Sequence, residues 1–312
     1  MTDNLFKTNE EELLKTVAHL AKERQAVILA HYYCPPEVHR AAHFVGDSLG
    51  LSQEAARNEA KVIIFCGVHF MAETASILCP EKTVVLADFE AGCPMADMVS
   101  AKDLEDRKKE LSAVPVLTYV NSSAAVKALS DICCTSANVV AVLRSLDSPT
   151  ILMTPDKNLA QYAQKLVPEK KVITWPGFCP THHRLNLKEI TALKEAHPKA
   201  EVLAHPECQP KILAIADFIG STSGIIKRCQ ESSSKEFIIL TEEGVLYPIK
   251  KQNPDKIFYT PQTPMVCPNM KKNSLIDIVK ALETLTPIIK VPEEIRLKAL
   301  RAVEKMLAVP RD

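Results

Sequence analysis

Continuous apolar runs rich in valine and isoleucine recur along the chain and alternate with segments of helical periodicity. In the first third they read QAVILA from residue 25, KVIIFCG from residue 61 and TVVLADF from residue 83, and comparable runs continue to KIFYT at residue 256. Apolar runs without polar alternation are typical of parallel strands that are buried on both faces. The alternation with helical segments predicts an α/β fold with right-handed β-α-β connections.

The pattern repeats three times. Equivalent segments start at His31, Tyr119 and His205, at intervals of 88 and 86 residues, and each unit contains three apolar runs. Each unit therefore reads as a small βαβαβ layer, and the period is too long for a solenoid repeat. We predict three αβα domains related by approximate threefold symmetry, each with a small parallel sheet. Their predicted ranges are 1–93, 94–179 and 180–267, with two C-terminal helices in 268–312 that pack on the first.

The first strand of each unit ends in polar residues. They are His31 and Tyr33, Tyr119 and Asn121, and His205 and Glu207. A hydroxyl residue follows 17 positions after each start, and these residues are Ser48, Ser136 and Thr222. Each opens a helical stretch, so it is either an ordinary helix N-cap or part of an anion site at a helix N-terminus. Three such positions in register favour a substrate with several carboxylates or a phosphate.

Three of the ten cysteines keep the register of the repeat. Cys93, Cys179 and Cys267, here called the repeat cysteines, lie at intervals of 86 and 88 residues, and a proline follows each. Three thiolates on one axis indicate a [4Fe–4S] cluster with one open iron, which suits a Lewis acid in a dehydration. Zinc with His182 or His183 remains an alternative on spacing alone.

Charge and hydropathy exclude several classes of partner. Lysine and arginine number 38, equal to aspartate and glutamate, and there is no basic block that would follow a nucleic-acid backbone. No apolar run reaches the roughly 20 residues that span a bilayer, and the N-terminal segment lacks a secretory signal pattern. We therefore expect a cytoplasmic protein with reduced thiols and no nucleic-acid or membrane partner.

Long sequence strings over residues 25–290 resemble the quinolinate synthase family. The strings are HYYCPPEV, FVGDSLGLS, FCGVHFMAETA, LADFEAGCPMADM, YVNSSA, HPEC, DFIGSTSGII and VCPNMK. The resemblance implies three pseudo-symmetric αβα domains around a central [4Fe–4S] cluster. It implies an enzyme of NAD biosynthesis that condenses iminoaspartate with dihydroxyacetone phosphate and releases phosphate and water. It further implies a functional partner, an aspartate oxidase or dehydrogenase, that supplies iminoaspartate.

The resemblance also implies functional residues. It makes the repeat cysteines the cluster ligands, and it places the substrate at His31, Ser48, Tyr119, Val120, Asn121, Ser136, His205, Pro206, Glu207 and Thr222. Tyr33 matches a tyrosine that assists proton transfer. By residue type, Glu207 is the candidate general acid and base, Tyr33 and Tyr119 are donors to developing oxyanions, and His205 orients the substrate or shuttles protons. His69, Met71 and His182 either line the cavity or pack in the core.

A few positions depart from the family pattern. Cys34 replaces a common glutamine, and His43 stands where the other repeats have Asp131 and Asp217. The adjacent Cys133 and Cys134 are expected to be packing residues. Two other functions stay open at this point, namely another hydro-lyase of the aconitase kind and a non-catalytic iron–sulfur or zinc sensor.

Overall fold

The computed structural model describes residues 2–312, with side chains from residue 9 onward. The apolar runs form twelve strands in three parallel sheets of four. The first sheet contains β1 Ala26–His31, β2 Phe44–Gly46, β3 Val62–Cys66 and β4 Thr83–Leu86. The second contains β5 Val116–Tyr119, β6 Ile132–Cys134, β7 Thr150–Thr154 and β8 Lys171–Thr174. The third contains β9 Glu201–Ala204, β10 Phe218–Ile219, β11 Glu236–Leu240 and β12 Ile257–Tyr259.

Helices connect the strands. They are α1 Thr2–Glu23, α2 Pro36–Ala41, α3 Ser48–Arg57, α4 His69–Leu78, α5 Ala101–Leu111, α6 Ala124–Ala128, α7 Val139–Ser145, α8 Lys157–Leu166, α9 Pro180–His183, α10 Leu187–Ala196, α11 Pro210–Leu213, α12 Thr222–Glu231, α13 Leu246–Gln252, α14 Leu275–Thr284 and α15 Glu293–Ala308. In each sheet the second strand in sequence lies at the edge, next to the first, and the third and fourth follow on the other side. The predicted α/β class with three small parallel sheets is thus confirmed.

One strand per sheet was not predicted. The βαβαβ layer expected from three apolar runs has a fourth strand, namely β2, β6 or β10, which is two or three residues long. Such a strand is too short to produce an apolar run of its own, and a helix begins shortly after each one. The prediction of three strands per layer is therefore wrong by one edge strand.

A reciprocal pair of hydrogen bonds fixes each short strand to its neighbour. The backbone N–H of His43 donates to Ile28 O at 2.9 Å, and the Ile28 N–H donates back to His43 Nδ1 at 3.1 Å. Asp131 and Asp217 make the same exchange in the other two sheets, where carboxylate oxygens accept from Val116 at 2.7 Å and Val202 at 2.9 Å. The departure at His43 is thus a replacement of one acceptor by another.

The described chain divides into two compact units. Within the described residues, the first comprises 2–93 and 267–296, and the second comprises 94–266 and 297–312. The first sheet belongs to the first unit, where α14 packs on α1. The second and third sheets belong to the second unit. The division into three domains with boundaries at residues 93 and 179 stays a prediction.

The core consists of strands that are covered on both faces, as the apolar runs indicate. All five residues of β3 are buried, and Ile63, Leu117 and Ile238 in the three sheets have no exposed surface. Each fully buried side chain of this size contributes roughly 1.5–3 kcal/mol relative to an exposed one. The strand ends that carry the candidate site thus rest on a rigid support.

Candidate functional site

Polar residues lie at the carboxyl ends of the first strands, as the sequence predicts. His31 and Tyr119 are the last residues of β1 and β5, and His205 directly follows β9. In two repeats the histidine ring is fixed in the same way. The Tyr33 N–H donates to His31 Nδ1 at 3.1 Å, and the Glu207 N–H donates to His205 Nδ1 at 3.3 Å. Each ring is therefore oriented by the backbone two residues further along the chain.

The predicted site residues are shared between the two units. The first unit contains His31, Tyr33, Ser48, Cys93 and Cys267, and the second contains the remaining ones. In the first unit the rings of His31 and Tyr33 meet edge to face at 4.5 Å, and Lys271 Nζ donates to Tyr33 O at 2.7 Å. These contacts hold the Tyr33 segment at the end of β1.

The three hydroxyl residues are not the helix caps. Ser48 and Thr222 are the first residues of α3 and α12, whereas the side chains that accept from the first turns belong to Asp47 and Ser221. Ser136 precedes α7 in a turn where Asn138 Oδ1 accepts from Thr135 N at 2.9 Å. The capping interpretation is thus wrong for all three.

The second unit brings four buried side chains together. Tyr119, His182, His205 and Glu207, here called the Glu207 cluster, are each at most 3% exposed. Glu207 Oε2 lies 2.7 Å from His182 Nδ1 and 3.6 Å from His205 Nδ1, and the two imidazole rings stack at 4.6 Å. Ser136 Oγ lies 3.2 Å from His205 Nε2 and extends the cluster.

The electrostatics of the cluster favour an ionised Glu207. Burial by itself raises the pKa of this carboxyl, but attraction to His205 and His182 and hydrogen bonds from His182 and Tyr119 outweigh burial and hold the pKa at about 2. Burial and the nearby Glu207 carboxylate raise the pKa of Asp156 well above its usual value. Two buried carboxyl groups with opposite shifts are typical of functional sites.

Cys179 lies at the edge of the Glu207 cluster. Its Sγ is 3.2 Å from His182 Nδ1, and His182 Nε2 is 3.0 Å from Thr241 Oγ1. Sγ, Nδ1 and a Glu207 carboxylate oxygen lie within 4.8 Å of one another, so this group could hold a metal ion. The sequence left His182 between a cavity and a core position, and the structure places it between Cys179 and Glu207.

Two residues of the turn 155–158 position the site and were not predicted. Asp156 Oδ1 caps α8 by accepting from Leu159 N at 2.8 Å, and its Oδ2 accepts from Cys179 N at 3.0 Å. Asn158 Nδ2 donates to Glu207 O at 2.9 Å. An Asp before a helix signals a cap in the sequence, but only the fold reveals the second contact. This turn therefore connects the Cys179 and Glu207 segments.

The Cys179 segment is also held closely against this turn. Gly177 pairs with Asp156 in a parallel bridge, and a Cβ on Gly177 would lie 2.5 Å from Pro155 O. Trp175 Nε1 donates to Met98 O at 2.7 Å. A glycine is thus needed at position 177 for the approach that brings Cys179 to the cluster.

The other predicted residues lie at strand or helix ends. Val120, Pro206 and Thr222 are buried, and Asn121 is half-buried. Within residues 9–312, Asn121 Oδ1 is one of a few buried polar atoms without a hydrogen-bond partner. His69 opens α4 and meets Phe89 at 6.1 Å, while Met71 is buried.

Comparison with known proteins decides the family. A family model described as quinolinate synthetase A protein matches residues 15–308. This chain belongs to the quinolinate synthetase A family. It is 52% identical over 303 residues to a protein named quinolinate synthase from Geobacter sp. (strain M21), covering 97% of this chain and 99% of that protein. The predicted family is thus confirmed, and so is the prediction of an enzyme.

Other organisms carry similar relatives. A quinolinate synthase from Thermodesulfovibrio yellowstonii is 50% identical over 296 residues, 95% of this chain and 98% of that protein. One from Methanosarcina barkeri is 49% identical over 300 residues, 96% of this chain and 98% of that protein. The similarity to these family members therefore extends over nearly the whole chain.

The cysteines that keep the register of the repeat differ in burial from the other cysteines. The repeat cysteines are half-buried, and the other seven are buried. Burial raises the pKa of Cys133 to about 12 and raises the pKa of Cys134 well above its ordinary value, so these thiols stay protonated. Cys34 Sγ donates to Cys66 O at 3.4 Å. The repeat cysteines are thus the three with access to a ligand, and three accessible thiols suit a cluster with one open iron.

Among residues 2–312, no helix has both the length and the apolar character needed to cross a bilayer.

Proposed function

We propose that this enzyme forms quinolinate from iminoaspartate and dihydroxyacetone phosphate, with release of phosphate and water. The observation that carries the proposal is the Glu207 cluster. It brings a carboxylate, two imidazoles and a phenol together at buried positions, in a chain 52% identical to a protein named quinolinate synthase. A ring-forming condensation requires several proton transfers, and this set of side chains can accept, hold and donate protons.

The proposed cofactor is a [4Fe–4S] cluster held by Cys93, Cys179 and Cys267. Support comes from their register, from the proline after each and from their incomplete burial. When bound, the cluster supplies an open iron that acts as a Lewis acid on a substrate oxygen. Asp156 fixes the backbone N–H of Cys179 and so orients that ligand.

The Glu207 cluster would perform the proton transfers. Glu207 Oε2 removes a proton from a substrate carbon or oxygen and returns it at a later step, while His182 Nδ1 at 2.7 Å donates a hydrogen bond to the carboxylate. Tyr119 and Tyr33 donate hydrogen bonds to oxyanions that develop on the substrate. His205, fixed by the Glu207 N–H and Ser136, orients the substrate.

The remaining residues would bind the charged groups of the substrates. Ser48 and Thr222 lie in the first turns of α3 and α12, where backbone N–H groups favour a carboxylate or a phosphate. Asn121 brings an amide whose buried Oδ1 has no partner in the described chain. We assign contacts with iminoaspartate to these three, to His31, Tyr119, Ser136, His205 and Glu207, and to the segments at Val120 and Pro206.

The reaction sets the biological context. Iminoaspartate hydrolyses readily, so we propose that an aspartate oxidase or dehydrogenase supplies it and that both enzymes act in the cytoplasm. An aconitase-like hydro-lyase and a non-catalytic sensor are not favoured, because the relatives share a name that denotes synthesis of quinolinate.

The test is a paired measurement on anaerobically purified protein. We expect about four irons and four sulfides per chain, lost in Cys93→Ser, Cys179→Ser and Cys267→Ser and kept in the matched control Cys34→Ser. Glu207→Gln should keep the iron and lower quinolinate formation roughly 100-fold or more. The exposed Glu231→Gln should keep both the iron and quinolinate formation. Quinolinate formation that survives loss of the iron, or that survives Glu207→Gln, would overturn the proposal.

A further inference from the structure

The second unit contains the donors of a different metal site. A thiol, an imidazole and a carboxyl from Cys179, His182 and Glu207 lie within 4.8 Å of one another. These three donor types are the ones that zinc accepts in proteins. We propose that the chain without its cluster binds one zinc ion through Cys179 Sγ, His182 Nδ1 and a Glu207 carboxylate oxygen, with the fourth position open to water.

The local sequence builds two of the ligands into one turn. Cys179 is the N-cap of α9 and His182 is its third residue, so both side chains lie on the same side of the turn. Tetrahedral zinc places sulfur and nitrogen about 3.5 Å apart, and nitrogen and oxygen about 3.3 Å apart. The present distances of 3.2 Å and 2.7 Å are shorter by a few tenths of an ångström. Small side-chain rotations therefore make room for the ion.

The surroundings of His182 fit a ligand. A histidine that binds metal through Nδ1 carries its proton on Nε2 and donates it to an oxygen. Thr241 Oγ1 lies 3.0 Å from His182 Nε2 and can accept that proton. A hydroxyl can also donate, so Thr241 satisfies the ring with or without the ion. Asp156 likewise holds the Cys179 backbone N–H.

The convergence of the three atoms also favours a cation. Sγ and Oε2 both approach the same ring nitrogen, and one Nδ1 proton points along only one of these directions. A cation interacts with all three atoms at once and compensates the buried Glu207 carboxylate, which is 3% exposed. If the proposed function holds, zinc and the cluster compete for Cys179, so zinc would block cluster assembly.

The experiment uses the full chain with Cys93→Ser and Cys267→Ser, which removes two of the proposed cluster ligands and leaves the zinc group intact. Zinc is titrated anaerobically against a chromophoric chelator. We expect one zinc per chain. Adding Cys179→Ser, His182→Ala or Glu207→Ala should lower the zinc affinity at least roughly 100-fold. Replacing a residue that only hydrogen-bonds to a metal ligand already lowers metal affinity about 10- to 100-fold.

The controls separate a ligand from a structural residue. His183 belongs to the same short helix, but its Nδ1 lies 2.9 Å from Asn158 Nδ2, so His183→Ala should leave the zinc affinity within about twofold. Thr241→Val should weaken binding about tenfold and Thr241→Ser should restore it. Fluorescence of Trp175, the single tryptophan, checks that each variant is folded.

The outcomes are distinct. Zinc binding that persists in folded His182→Ala and Glu207→Ala overturns the inference, as does binding that disappears when only Cys93 and Cys267 are replaced. The parent chain is assayed separately for iron and quinolinate. Absent zinc binding with normal quinolinate formation overturns this inference alone, and zinc binding without quinolinate formation overturns the proposed function alone.

Discussion

Replacement of Asp156 by alanine tests how firmly the turn 155–158 holds the Cys179 segment. The change removes the backbone hydrogen bonds that one fully buried carboxyl accepts, among them those from Leu159 N and Cys179 N. Loss of the α8 cap costs about 1 kcal/mol. The part-buried Cys179 N–H loses this hydrogen bond, which costs about 1 kcal/mol. Removal of the repulsion between Asp156 and Glu207 acts in the opposite direction. We therefore expect the unfolding free energy to fall by about 2 kcal/mol.

The assay is urea unfolding followed by the fluorescence of Trp175, which lies in the Cys179 segment and donates to Met98 O. The matched control is Ser100→Ala at the exposed cap of α5, where Oγ accepts from Asp103 N at 3.1 Å and donates to Asp103 Oδ2 at 2.5 Å. It should cost about 1 kcal/mol or less. If Asp156→Ala costs no more than Ser100→Ala, the hydrogen bond to Cys179 contributes nothing and the reasoning fails.

Three other predictions concern thiol reactivity, acid stability and the C-terminal residue. Iodoacetamide at pH 8 should modify the repeat cysteines of cluster-free protein and spare Cys133. The thiolate is the reactive form, and burial raises the pKa of Cys133 to about 12. Equal labelling of Cys133 and the repeat cysteines in peptide mass spectrometry would contradict this. Burial lowers the pKa of His39 to about 4, so its neutral form stabilises the fold near neutral pH and this contribution is lost as the pH falls from about 6.5 towards 4. Between pH 7 and 4.5, the unfolding free energy of His39→Gln should therefore fall by about 2 kcal/mol less than that of the parent. Urea unfolding at the two pH values measures both decreases, and an equal decrease in parent and variant would refute this. Asp312→Ala should lower the unfolding free energy by about 1–2 kcal/mol in the same assay. The Asp312 carboxylate accepts from two backbone N–H groups at the start of α7, at 2.7 and 3.1 Å. An unchanged urea midpoint would contradict this prediction.

The sequence predicted the framework because the framework depends on periodic burial. The apolar runs located nine of the twelve strands, and the register of the repeat selected the three cysteines that the fold leaves accessible. The short edge strands escaped detection since a strand such as Phe218–Ile219 depends on hydrogen bonds from a neighbouring strand rather than on its own hydrophobicity.

The residues that position the site could not be predicted for a related reason. Asp156 has an ordinary cap signal, and its contact with Cys179 arises only when two strand ends lie side by side. Asn158 reaches the carbonyl of Glu207 across 49 residues of sequence. His182 carried a weak signal, three residues after a repeat cysteine, but the choice between cavity and core required the position of Glu207.

At the edge of the first sheet, His43 stands where the other two repeats have Asp131 and Asp217, and all three side chains make the same hydrogen bond. A neutral imidazole and a carboxylate differ in charge, size and acidity, yet both present a lone pair to the backbone N–H of the adjacent strand. The three copies thus share the hydrogen bond that the side chain accepts from the neighbouring strand, although the residue type differs. Internal symmetry of this kind is invisible to a search for identical letters, and it becomes detectable when the copies are aligned by the atoms that accept hydrogen bonds.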